Sequence, residues 1–131
     1  MLMKIETMKI VTKLPHEAEF KSWRSKISDS DYDKVVDAIN DKIDQSDINT
    51  AGWLPGSNWD GTVFEPLYIA CGKNQNASAL FFGLIVFETL MYRKDTVWGF
   101  DRFELNGVKI RSMTYYVLHS VNPSDYAHLV P

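Results

Sequence analysis

The chain has 131 residues, the length of one ordinary domain, and a core of that size folds without disulfide staples. With 45% hydrophobic and 24% charged residues it is globular in composition, and a net charge of −3 gives it no basic footprint for nucleic acid. A single cysteine, Cys71, excludes an internal disulfide framework and fits a reducing, cytoplasmic compartment.

No secretory signal and no run of membrane-spanning length is legible, so neither membrane nor direct nucleic-acid contact is expected. Asn76-Ala77-Ser78 matches a glycosylation sequon, which carries no meaning in an unsecreted protein. The working expectation is one domain over 1–131, with residues 1–7 a loose end and 123–131 a frayed tail.

Residues 8–14, MKIVTKL, alternate as a strand does. Pro15 suits the first turn of a helix to about Ile27, with Phe20, Trp23 and Ile27 along one stripe. The next segment places Tyr32, Val35, Val36, Ile39 and Ile43 at helical spacing, with Ser28, Asp29 or Ser30 available as its cap. Pro66 and Gly72 frame a short helix over 66–71. From Ala79 to Tyr92 the chain is apolar nearly all round, which predicts a buried helix capped by Asn76 or Ser78.

The C-terminal third turns to strand character. Asn106-Gly107 signals a type I′ hairpin, which pairs Leu105 with Val108, Phe103 with Ile110 and Glu104 with Lys109. Residues 113–121 read as a further strand, and Asn122-Pro123 can open a short helical turn. The expected class is α+β: about four helices, one of them nearly fully buried, on a small antiparallel sheet with a C-terminal β-hairpin.

Three surfaces invite a functional reading. The first is the loop TAGWLPGSNWDGTVFEP, residues 50–66, where Pro55-Gly56 and Asp60-Gly61 each mark a turn. Turned outward, Trp53 and Trp59 would form a recognition surface, with Ser57, Asn58 and Asp60 as polar contacts. Turned inward, the indoles make the loop a plug over the helices, the orientation the burial habits of tryptophan favour.

The second is an acidic helical stripe, Asp33, Asp37, Asp41 and Asp44, spanning about 80° of arc with neighbours about 6 Å apart along the axis. Seven Asp less two Lys between residues 29 and 47 give a local charge of −5. Such a stripe could imitate a row of phosphates, although solvated acidic faces are commonplace. The third is Glu88, an acid inside the most apolar helix. It is expected to pair with Arg102 or Arg111 from the sheet rather than to act in acid–base chemistry.

Cys71 lacks an assured base among His16, His119 and His128, and Asp125 with His128 makes too sparse a ligand pair for a metal. No nucleotide loop, zinc-protease helix, cysteine-pair or nucleophile-elbow motif is present. These residues therefore predict a non-catalytic protein without cofactor or metal that docks on a larger protein partner. A small accessory or inhibitor protein of bacterial or mobile-element type fits that description. The alternatives are a small-molecule pocket or small enzyme between the Trp-rich loop and the sheet, using Asp60, Glu88, Asp101 and Arg102, and a phosphate mimic built on the acidic helix.

Overall fold

A computed structural model of the chain describes residues 1–51, 59–101, 104–105, 107–109 and 113–131. Among them the element order is β1 (Met3–Lys4), β2 (Lys9–Ile10), α1 (Glu17–Arg24), α2 (Asp29–Ile43), β3 (Ile48–Thr50), α3 (Glu65–Ala70), α4 (Gln75–Tyr92), β4 (Trp98–Asp101), β5 (Glu104–Leu105), β6 (Val108–Lys109) and β7 (Thr114–Val117). Two short 3-10 turns, Pro123–Asp125 and Ala127–Leu129, follow. The class is α+β, as the hydrophobic periodicities imply.

Helix α4 is the centre of the core. Phe81, Phe82, Leu84, Ile85, Val86, Phe87, Leu90 and Met91 are all buried, which is why the segment shows no polar side. Asn74, rather than Asn76 or Ser78, caps it by accepting from the Ala77 amide at 2.9 Å. Helix α2 lies against α4 with Tyr32, Val35, Ile39 and Ile43 buried, and Ser28 accepts from the Asp31 amide at 3.1 Å. That single side-chain cap satisfies one of the orphan donors of the first turn.

The main sheet runs β3–β7–β4, antiparallel throughout. Tyr115 and Phe100 turn toward α4, where the Phe100 and Phe87 rings meet edge to face at 5.6 Å. Strand β3 was not legible in the sequence: three residues, INT, are too few to display an alternation. The hairpin was legible, and its register is Glu104 with Lys109 and Leu105 with Val108. The Phe103–Ile110 pair lies outside the described residues.

Both chain ends differ from expectation. Met1, Leu2 and Met3 are fully buried rather than loose. The Met1 amino group donates to the Arg93 and Thr96 carbonyls, and Leu2 bridges Trp98 in parallel, which sets β1 beside β4. Met1, Met3 and Val97 form a second small core. Val121, Tyr126, Ala127 and Val130 pack on it, so the expected frayed tail is held in place by its own apolar residues. The expected strand over 8–14 shrinks to Lys9–Ile10: Met8 turns into the left-handed region at φ 54°, and residues 11–14 join no strand.

Candidate functional site

Trp59 points inward. It is 6% exposed, stacks on Tyr68 with centroids 6.4 Å apart and meets Phe82 edge to face. Its indole Nε1 donates to Gln75 Oε1 at 3.0 Å, so the polar end of the ring is satisfied inside the fold. The chain around it is arranged to hold that pose. Gly61 adopts φ 70°, the Thr62 hydroxyl donates to the Trp59 carbonyl at 2.8 Å, and the Gly61 amide donates to Glu65 Oε2 at 3.0 Å. Trp59 is therefore a plug and not a contact residue, which corrects the outward reading of this ring. Asp60 is exposed on the turn. Trp53, Ser57 and Asn58 lie outside the described residues.

The acidic stripe is real, but it is broken at one end. Asp33, Asp37 and Asp41 are exposed and enter no ion pair among the described residues. Asp44 closes α2 and accepts from Arg93 at 2.7 Å, and the same guanidinium reaches Asp95 at 2.8 Å. Arg93 thereby ties the end of α2 to the end of α4.

Glu88 finds a different partner from the one its sequence position suggested. The Tyr32 hydroxyl donates to Glu88 Oε1 at 3.1 Å, linking α2 to α4. The Arg24 guanidinium sits 4.0 Å from the centre of the Tyr32 ring and pairs with Asp29 at 2.6 Å. Burial raises the Glu88 carboxyl above its ordinary value, against the pull of the tyrosine hydrogen bond and the Arg24 charge. Burial, then the Glu88 charge, likewise pushes the Tyr32 phenol up. This half-buried hydrogen-bonded pair is a link between the two helices. Arg102 and Arg111 lie outside the described residues.

Cys71 is half-buried, and burial pushes its thiol up, the opposite of what activates a nucleophile. Two histidines face carboxylates instead: His119 meets Asp47 at 3.1 Å and His16 meets Glu19 at 4.0 Å. No group of three or more His, Cys, Asp and Glu able to hold a metal occurs among the described residues. None of their helices is long and apolar enough to cross a membrane.

The outer face of the sheet carries what the sequence did not advertise. The register sets Ile48 of β3, Tyr116 of β7 and Gly99 of β4 in one row across the strands. A Cβ at Gly99 would stand 2.6 Å from the Tyr116 ring and 3.1 Å from Ile5 Cδ1, so any side chain there would push the ring aside. The tyrosine ring therefore lies over bare backbone, with Ile48 on one side and Ile5 on the other. Those two isoleucines are 62% and 46% exposed.

Beside this row opens a cleft of about 620 Å³. Among the described residues, Ile5, Met113 and Tyr116 form its apolar walls beside Phe100, whose ring turns to α4, and Lys4, Glu6 and Asp101 supply its charges. The neighbouring row is closed, since Thr50 and Thr114 are buried with their hydroxyls 2.9 Å apart. The edge beside Ile48 is also closed. The Ser46 hydroxyl accepts from the Ile48 amide at 3.2 Å and donates to the Ile48 carbonyl at 2.8 Å, occupying both backbone groups of that residue.

Of the pocket residues expected from the sequence, Asp101 lines this cleft, whereas Glu88 lies in the α2–α4 link and Asp60 on the Trp59 turn. Only spacing that joins four distant segments could have revealed the site, and one sequence does not show which strands are neighbours. Compared with protein-family models, curated proteins and solved structures, the chain matches none.

Proposed function

We propose that the protein is a non-catalytic, cytoplasmic binding protein that docks on a larger protein by the outer face of its sheet. The observation that supports this most is the row Ile48–Tyr116–Gly99–Ile5, which keeps two branched aliphatic side chains in solvent on either side of an aromatic ring. Desolvating such a patch against a partner gains roughly 25 cal/mol for each Å² of apolar surface removed from water. The surface thus shifts from the tryptophan loop to the sheet. A role as a small accessory or inhibitor protein follows from size and from docking without chemistry.

A second reading, a small-molecule pocket, draws support from the cleft itself, whose volume of about 620 Å³ falls in the usual range for ligand sites. Capture from lysate of the native cell separates the docking reading from the acidic-helix one. Wild type and an Asp37→Lys/Asp41→Lys variant should retain one and the same partner, and Ile5→Asp/Ile48→Asp should lose it. Loss with the acidic-helix variant and retention with the sheet variant would move the contact to α2. A rise in melting temperature with a metabolite, undone by Met113→Asp, would favour the pocket.

A further inference from the structure

We propose that the β1–β2 hairpin and the two 3-10 turns form a strap that opens as one unit, and that its closed state holds Ile5 on the docking face. This inference rests on the docking reading and adds to it how that face is regulated.

Ile5 does not belong to the three-stranded sheet. It begins the turn that joins β1 to β2, and the seating of that hairpin lays its Cδ1 atom 3.1 Å from the place a Gly99 Cβ would take. Few groups seat the hairpin. The Trp98 amide donates to the Met1 carbonyl at 2.9 Å, Leu2 bridges Trp98, and the Val11 amide donates to the Leu2 carbonyl at 2.8 Å. Past Val11 the chain is exposed at Thr12, Lys13, Pro15 and His16 before α1 begins.

The apolar side chains divide in the same way. Among the described residues the main cluster joins α1–α4 to the sheet, and from the hairpin it takes Leu2 and Val11. The second cluster is Met1, Met3 and Val97, with Ile10 of the hairpin and Tyr126 and Val130 of the turns packed against it. A cluster this small gives up little apolar burial when it opens, so it opens at less cost than the main core unfolds. Hairpin and turns bury their apolar side chains on the same three residues, so neither keeps them dry without the other. Two segments far apart in sequence therefore move together.

Opening withdraws Ile5 from its place beside Gly99, and a docked partner draws it back. Whatever loosens Tyr126 or Val130 weakens docking, although neither lies on the row, and a bound partner steadies the strap by the same factor.

The test is native-state hydrogen exchange on the full chain, read at the Val11 and Trp98 amides for the strap and at residues 84–90 for the main core. In wild type the two strap amides should be protected at least about tenfold less than the core. Val35→Ala, in the main cluster, should cut core protection by about tenfold and leave Val11 and Trp98 unchanged. Tyr126→Ala should cut protection at Val11 and Trp98 by about tenfold. Equal effects of Val35→Ala at every amide overturn the strap, and so does a Tyr126→Ala variant that leaves Val11 untouched.

Met3→Asp, which sets a charge in the small cluster, separates the strap from docking. It should keep the helical signal and a cooperative melt, and lose the partner that wild type captures. If exchange reveals the strap while Met3→Asp and Ile48→Asp both keep the partner, the docking face is wrong and the strap stands. If Met3→Asp keeps it and Ile48→Asp loses it, docking stands and its regulation by the strap falls. If Ile48→Asp loses the partner while Val35→Ala acts equally at every amide, docking stands without a strap.

Discussion

Around Trp59 every large ring has a neighbour inside the fold, whereas on the outer face of the sheet Ile5 and Ile48 hold their side chains in solvent on either side of Tyr116. The first region is aromatic, hydrogen-bonded at its polar end and fastened by the Thr62 and Glu65 side chains. The second is aliphatic and half open. A tryptophan in an irregular loop looks like a hot spot in sequence, yet here it closes the helical layer. The exposed surface comes from residues that, taken one at a time, look like ordinary strand formers.

The widest separation between the two regions should appear on truncation. Trp59→Ala removes a buried ring packed on Tyr68 and Phe82, so it should cost about 3–5 kcal/mol by denaturant unfolding. Ile48→Asp should change stability by less than about 0.5 kcal/mol and still abolish partner capture. A Trp59→Ala protein that melts like wild type would remove the ground for calling that region structural.

The Tyr32–Glu88 link should come next. Tyr32→Phe leaves the Glu88 carboxylate without its hydrogen-bond donor and should cost about 1–2 kcal/mol near neutral pH. Burial holds the folded Glu88 above its ordinary value of 4.5. As pH rises past that value the unfolded chain ionises first, so this residue's effect on stability becomes less favourable until the folded carboxyl also ionises. Melting temperature against pH should therefore slope down through that interval for wild type, and Glu88→Gln should flatten the slope.

Gly99→Ala sharpens the comparison on the side of the sheet. The added methyl meets ring atoms rather than backbone, and the Tyr116 ring can swing away, so stability should fall by only about 1 kcal/mol. Partner capture should suffer more than the fold, because the displaced Tyr116 ring belongs to the exposed row. The smallest change is expected from Asp37→Lys/Asp41→Lys on the solvated stripe, within about 0.5 kcal/mol in thermal unfolding.

Much of the architecture was legible because it rests on local rules. The spacing of Tyr32, Val35, Ile39 and Ile43 gives the buried stripe of α2, and Asn106-Gly107 gives the hairpin register at both described pairs. What escaped depends on contacts between distant segments. Glu88 meets Tyr32, 56 positions away, instead of a sheet arginine. Met1 and Met3 pack with Val97 and the C-terminal residues, so neither end frays. Cap selection at α4 was missed by two residues, since Asn74 and Asn76 offer the same chemistry and only the turn geometry chooses between them. The candidate site escaped for the same reason as the ends: its parts come from β1, β3, β4 and β7, and no periodicity relates them.

The Ser46 hydroxyl has a bearing on how the protein lives among copies of itself. Strand β3 ends the sheet, and an open edge with an exposed isoleucine is the usual starting point for chains to add onto one another and precipitate. One oxygen atom, held by a turn at the end of α2, fills the vacancy at which such growth would begin. The backbone groups of Ile48 are thus closed to strand addition while its side chain stays in solvent, so edge and face are governed at this residue by different atoms.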